Sequence, residues 1–360
     1  MANSGFKIKV LSLFTCITLL SACSSNNATQ STDPSPGTTP ISSSAASDPG
    51  QNAPAAQEPI EIRWGNVFAP DLPFNQGTAK FKELVESRSD GRITVNLFPS
   101  SQLGNNNEIM GMLVEGTNQM GNEGGGFLAQ WAPKFLVSEA VYAFRDIDHM
   151  MSVMTGEIGQ EMFDELLESR GIRVIDVWYY GTRHISANKQ IDTPADLKGV
   201  KMRVPDGPLY IANGNALGAS PTPISLSEVY LSLKTGVIDA QENPLPTIYQ
   251  NKFQEVQKYI IMTGHNYNFN TVMVNDAFWQ GLSKEDQDLI VQCVKEAGEY
   301  EKEIALQQES DLVAKLEEEG VTVHTPDVEA FRAAATKYMT ENFDSEWGEG
   351  YYERVQSYQE

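Results

Sequence analysis

Cysteine and histidine are scarce in this chain, and their scarcity removes whole classes of chemistry. The three cysteines are Cys16, Cys23 and Cys293, and the four histidines are His149, His184, His265 and His324, none of them at metal-ligand spacing. There is no His-Glu-x-x-His, no Cys-x-x-Cys, no Gly-x-Ser-x-Gly and no phosphate loop. The triple glycine at residues 124–126 lacks the spacing of a dinucleotide fingerprint. No nucleophile stands beside a base, so neither an enzyme, a cofactor nor a metal site is expected. Basic residues are also few: 26 Lys and Arg face 48 Asp and Glu, for a formal charge of −22. A nucleic-acid binder needs a basic face, and no basic patch exists here. Long apolar runs are missing too. The best candidate, residues 10–20, falls short of the ~20 residues that a membrane-spanning helix needs.

That short run has a different meaning. Lys7 and Lys9 precede it and "LLSAC" closes it on small residues, the layout of a secretory signal over residues 1–22. Leu20, Ser21, Ala22 and Cys23 resemble the lipobox of bacterial lipoproteins, which implies that Cys23 is lipidated and becomes the mature N-terminus. The chain is then anchored to a membrane rather than spanning it. From Cys23 to about residue 58 the chain is Ser, Thr, Asn, Pro and Ala, with almost nothing to bury, so a flexible tether is expected. Its reach is about 30–35 Å by random-coil scaling. Cys293 is left without a disulfide partner and reads as a small buried hydrophobe in a helical pattern.

The rest holds enough apolar residues, 41% of the 360-residue chain, for two domains. "IEIRWGNVF" (60–68), "ITVNLFP" (93–99) and "GIRVIDVWYYG" (171–181) alternate as strands. Helical spacing covers residues 74–88 and 106–115. Thr193, Pro194 and Gly199 punctuate one short helical turn. Ser225 with Glu228 offers a capping box ahead of a stop at Gly236. "VIDAQENP" (237–244) is a strand running into a proline-opened helix. A long helix from Ser283 to about Glu319, a strand in "VTVHTPD" and a helix over 328–343 follow. The acidic, aromatic residues 344–360 show no clear period and are taken as a C-terminal tail. Strands alternating with helices define an α/β architecture.

In open α/β sheets ligands bind beyond the carboxyl ends of strands. Five polar residues stand at such ends: Arg203 in "KMRVP", Arg183 after "VWYYGT", Asn243 in "QENP", Asn66 after Trp64, and Glu123 in "MGNEGGG". Each has an ordinary alternative. A loop arginine faces water, an Asn before Pro makes a turn, and Trp178, Tyr179 and Tyr180 pack cores. Val200, Met202 and Val204 fall on one strand face while Lys201 and Arg203 take the other.

"LKGVKMRVPDGPLYIANGNALGASPTPISLSEVYLSLKTGVIDAQENPLPTIYQNKFQEVQKY" resembles the solute-binding proteins of tripartite ATP-independent periplasmic (TRAP) transporters, the DctP family. "LFPSSQLG" and "GTRHISANKQI" are similar to the same family. The resemblance implies a two-lobed periplasmic-binding-protein-like fold with a hinge and a long helix spanning both lobes. Lobe I would hold residues 59–180 and 269–308, and lobe II 181–268 and 309–343. It implies a monomeric extracytoplasmic binder, in periplasm or at the cell surface, closing on a small organic acid such as a sugar acid or dicarboxylate. Small and large membrane subunits would receive the ligand. Within the resemblance Arg203 is the main carboxylate-binding arginine, Asn243 the asparagine of Gln-Glu-Asn-Pro, and Arg183, Asn66 and Glu123 match residues of sialic-acid-binding members. Those members carry an acid where this chain has Asn105 and an arginine where it has Gly126, which argues against sialic acid but not against a carboxylate. A ligand sensor of a signalling system built on the same fold is the alternative.

Overall fold

The computed structural model describes residues 58–359. The leader, Cys23 and the tether up to residue 57 lie outside the described residues. In chain order the elements are β1 (Ile60–Gly65), α1 (Pro73–Arg88), β2 (Ile93–Phe98), α2 (Asn106–Val114), β3 (Met120–Glu123), α3 (Gly125–Leu128), α4 (Ile147–Thr155) and α5 (Glu157–Arg170). Then come β4 (Ile172–Ala187), β5 (Lys201–Val204), α6 (Pro208–Ala216), β6 (Ser220–Pro223), α7 (Val229–Thr235), β7 (Ala240–Pro244) and α8 (Leu245–Gln250). The chain closes with β8 (Tyr259–Asn275), α9 (Asp276–Gly281), α10 (Lys284–Glu318), β9 (Thr322–His324), α11 (Val328–Trp347) and α12 (Tyr351–Ser357).

The strands form one sheet in the order β2-β1-β3-β8-β4-β7-β5-β6, with β9 added alongside β8. It contains two parallel groups. β1 lies between β2 and β3, and β5 lies between β6 and β7. Both groups hang on the antiparallel pair β4 and β8, of 16 and 17 residues. At ~3.3 Å per residue each strand runs about 50 Å, enough to serve both groups. Their register slips between Tyr179 and Gly181, opposite Phe269 and Asn268, and again between Arg183 and Ile185. Such bulges bend a strand and sharpen its twist. Gly181 sits in the first slip at φ +135°, and a Cβ there would meet Pro244 at 2.6 Å and Glu309 at 2.9 Å. Only glycine satisfies both the angle and the space.

The long helix α10 runs about 50 Å at ~1.5 Å per residue. It starts as expected, with the Ser283 side chain accepting from the Asp286 backbone. Ile290, Cys293, Val294 and Ala297 pack into a core with Trp64, Phe81 and Trp178. Leu312 and Leu316 enter a separate core with Val229, Ile248, Phe253 and Ile260. One helix thus backs both parallel groups. Cys293 is fully buried.

Three parts of the fold differ from the sequence pattern. Ser225 makes no side-chain cap; a 3-10 turn at Leu226–Glu228 starts the helix instead, although Gly236 does end it in a left-handed conformation. In β8 Asn266, Asn268 and Asn270 occupy one face, which a polar pattern would assign to solvent, yet all three are buried. The C-terminal residues also hold structure: α11 continues to Trp347 and α12 docks. Tyr352 Oη donates to Val141 O at 3.0 Å, and Arg354 reaches Glu161 at 2.8 Å. Among the described residues no helix is long and apolar enough to cross a membrane.

Where α10 passes β4 it carries a half-buried acid, Glu309, and a buried one, Glu301. Glu309 accepts from the Thr182 amide at 2.8 Å and from Tyr179 Oη at 2.9 Å. Glu301 is fully buried, and neither carboxyl oxygen has a hydrogen-bond partner. Burial, with Glu309 nearby, pushes its pKa well above the usual carboxylate range. The folded state is therefore most favoured below the ordinary carboxyl pKa of about 4.3 and loses that advantage as pH rises through the raised value. Glu301→Met is expected to exceed the native protein in stability by about 1–3 kcal/mol at pH 8, the usual penalty of an unmet buried polar group. The margin should narrow toward pH 4, as denaturant titrations at the two pH values would show.

Candidate functional site

Arg203 is placed by β5, the middle strand of the second parallel group. Met202 and Val204 are driven into the core by their apolar side chains. Alternation then turns Arg203 to the opposite face, where it is nonetheless buried, 3% exposed. Its Nε donates to Ile224 O at 2.7 Å. Among the described residues no carboxylate or carbonyl accepts from its two terminal amino groups. A buried cation without a counterion is costly. Burial lowers its pKa to about 10, with Glu242 opposing that fall and Arg183 adding to it. The guanidinium remains charged at neutral pH and keeps a planar pair of donors free.

Arg183 is in a different situation. β4 holds it beside β7, and its Nε and Nη2 make a two-pronged contact with Glu242, the second prong at 2.8 Å. Nη2 also lies 3.1 Å from Asn243 Oδ1, and Nη1 donates to Asn268 Oδ1 at 3.0 Å. Burial works against the charge of both partners. The Arg183 guanidinium nevertheless holds the Glu242 carboxyl well below the usual range, and Glu242 keeps Arg183 fully charged. His265 Nε2 sits 3.2 Å from Glu242. Burial lowers the pKa of His265, and takes that of His184 to about 3. Asn243, 3% exposed, donates one amide hydrogen to Gln241 Oε1 at 2.6 Å. The structure thus brings Arg203, Arg183 and Asn243 together, with Arg183 held by Glu242 and Arg203 free of any acid.

The other parallel group contributes Glu123 and Asn66. Glu123 ends β3, is 5% exposed and accepts from Asn106 Nδ2. Burial, opposed by that bond, raises its pKa to about 8. Asn66 is directed inward by the turn after β1: its Oδ1 accepts from the Phe68 amide at 3.0 Å and its Nδ2 donates to Asn75 at 2.6 Å. It therefore braces the loop that carries Phe68, whose ring stacks on Tyr180 at 4.9 Å. Tyr180 lies close enough to Arg183 and Arg203 to feel both charges.

Three residues went unread in the sequence. Glu242 stands in the quoted Gln-Glu-Asn-Pro run, and its position one residue before Asn243 was a usable signal. Glu139, in the 3-10 segment Pro133–Glu139, is 1% exposed and accepts from Asn268 Nδ2 at 2.9 Å. Burial raises its pKa to about 7. Tyr210, on α6, is 7% exposed. Nothing in the local pattern distinguishes Glu139 or Tyr210 from ordinary surface and core residues. Among the described residues no group of three or more His, Cys, Asp and Glu side chains could hold a metal.

The arrangement is that of a two-lobed α/β binding protein with charged groups at the ends of its parallel strands. Residues 64–346 match the family described as "Bacterial extracellular solute-binding protein, family 7", DctP. The chain belongs to this family, whose members bind solutes and are not enzymes. It is 38% identical to the sialic acid-binding periplasmic protein SiaP of Vibrio cholerae over 74% of this chain and 83% of that one. A TRAP periplasmic solute-binding protein of Roseobacter denitrificans, solved with bound L-galactonate, superposes with a TM-score of 0.76 at 34% identity, covering 83% of this chain and 98% of that one. Another from Sulfurospirillum deleyianum, solved with succinate, gives a TM-score of 0.76 at 31% identity, covering 84% and 100%.

Removing the Glu242 charge should expose what it holds. Glu242→Gln leaves Arg183 buried without a counterion and is expected to cost about 3–5 kcal/mol. Because the Glu242 pKa is depressed on folding, its contribution is complete above about pH 4.3 and lost as pH falls through the lowered value. The variant's unfolding free energy should accordingly vary less with pH below 4 than that of the native protein.

Proposed function

We propose that this chain is the extracytoplasmic solute-binding component of a TRAP transporter, capturing a small organic acid between its two lobes and delivering it to membrane permease subunits. The observation that carries this reading is the buried, acid-free guanidinium of Arg203 at the end of β5. Its planar donors match a carboxylate in two parallel bonds. Asn243 lies beside Arg183 and keeps one amide hydrogen for the same carboxylate. Arg183 adds positive field and geometric support through Glu242. Glu123 and Asn66 serve the opposite side of the cleft, Glu123 by contact and Asn66 by fixing the Phe68 loop. SiaP is named for sialic acid, and the two solved relatives hold L-galactonate and succinate. All three ligands are carboxylates.

The lobes divide at the register slip, between residues 180 and 181 and between 268 and 269, with α10 shared. Ligand binding stabilises the closed form by its differential affinity for the two states. Cys23 carries a lipid that tethers the protein to the bacterial membrane.

A thermal-shift screen of dicarboxylates, keto acids, uronates, aldonates and sialic acids tests the ligand class. A ligand at 100 times its Kd should raise stability by about 2.7 kcal/mol; shifts by neutral sugars or cations alone would refute the carboxylate reading. Arg203→Ala should abolish calorimetric binding, and Arg203→Lys should weaken it at least tenfold because a point charge replaces a fork. Cys23→Ser should move the protein from the membrane pellet to the soluble fraction, and retention in the pellet counts against the anchor.

A further inference from the structure

We propose that Tyr210 and Glu139 decide which organic acid the cleft accepts, selecting a short-chain acid that bears hydroxyl groups. The proposal rests on Arg203 as the carboxylate anchor and specifies what meets the other end of the ligand.

Tyr210 projects from α6, the helix that follows the Arg203 strand, and the phenol end of its ring lies against Gly126 of α3. A Cβ at Gly126 would stand 2.5 Å from both Cζ and Oη of Tyr210. The ring and a side chain at position 126 therefore compete for one volume, and here the ring has it. Phe127 supports it with ring centroids 5.7 Å apart. An aromatic wall at this place shortens the chamber and brings no charge of its own.

One buried polar atom at this wall, Glu139 Oε1, is left without a partner, and the Tyr210 hydroxyl beside it is not spent on another side chain. Tyr210 is 7% exposed, and among the described residues no hydrogen bond is made by its hydroxyl. Glu139 is 1% exposed; Oε2 is held by Asn268, while Oε1 has no hydrogen-bond partner. Both gather over Gly124, where a Cβ would lie 3.2 Å from Glu139 Oε1 and 4.0 Å from Tyr210 Oη. The buried Glu139 oxygen is costly to leave unmet. A single ligand hydroxyl can answer both, donating to one and accepting from the other.

Tyr210 also stands between the charged poles. Arg183, Glu242, Glu123 and Glu139 all act on its phenol, and the phenol acts on Arg203. Glu139 lies close enough to Glu123 to discourage its ionisation. A second carboxylate placed here would lie beside two acids, while the nearby Arg183 is already paired with Glu242. An unsubstituted dicarboxylate is therefore disfavoured against a hydroxylated acid of similar length.

Calorimetry on the purified protein tests this with galactonate, glucuronate, succinate, N-acetylneuraminate and the zwitterion glycine. The native protein should bind galactonate or glucuronate at least tenfold more tightly than the other three. Tyr210→Phe keeps the ring on Gly126 and removes only the hydroxyl; it and Glu139→Gln should each weaken the hydroxy acids about tenfold and leave succinate unchanged. Tyr210→Ala should improve N-acetylneuraminate relative to galactonate. Gly126→Ala should impair binding in the native background and be relieved by Tyr210→Ala. Native preference for succinate or glycine, no binding of either hydroxy acid, or equal effects of Tyr210→Phe on every acid would overturn the inference. Undiminished binding by Arg203→Ala would defeat the carboxylate reading and this inference with it. Loss of binding there, with unaltered selectivity in Tyr210→Phe, would defeat this inference alone.

Discussion

Two guanidinium groups and one low-pKa carboxylate share a buried space at the centre of this molecule. Glu242 neutralises Arg183 through paired hydrogen bonds, and Arg203 is left over with one bond to a carbonyl. Glu123 and Glu139, the next acids, are pushed by burial to about 8 and about 7, so neither is a firm counterion at neutral pH. The interior is short of one negative charge. On the proposed function a carboxylate ligand supplies it, and the surrounding architecture keeps that position buried and charged.

The fold meets these needs with a division of labour. The long pair β4 and β8 passes through both halves of the sheet and delivers Arg183 and the asparagines of β8 to the middle. Asn268 joins the two poles, accepting from Arg183 and donating to Glu139. The short parallel strands place their carboxyl ends, with Arg203, Asn243 and Glu123, toward the same region. The register slip at Gly181 supplies a bend where the chain passes between groups, and Glu309 ties α10 to that bend. The chain's overall charge of −22 would repel an anion at long range. Salt screens that field beyond about 8–10 Å, so on the proposed function the buried arginine governs the final approach.

How much of this could be read from residues alone depends on the kind of signal. Helices α1, α2 and α10 announce themselves through periodic apolar positions, and their bounds fall within a residue or two of the pattern. β8 does not, since its inward positions carry asparagine and a period-2 search sees polar residues where the core should be. Ser225 and Glu228 satisfy the form of a capping box without forming one, because a 3-10 turn occupies that start. The tail after residue 343 shows no clear period, yet Tyr352 and Arg354 find partners on the segment before α4 and on α5, which no local window contains. Arg203 was legible as a strand-end arginine. That it would be buried without an acid was not, for burial is a property of the neighbours.

Local chemistry was enough to dictate the α/β alternation, the long helix and the presence of arginine, asparagine and glutamate at strand ends, because backbone geometry converts side-chain periodicity directly into faces and ends. Which arginine is paired, which acid is pushed toward neutrality, and which aromatic ring closes the chamber were decided only when distant segments met. Those outcomes depend on desolvation and on charges within a few ångströms across long sequence gaps, as between Glu139 and Asn268 or Gly126 and Tyr210, and neighbours along the chain carry no record of them.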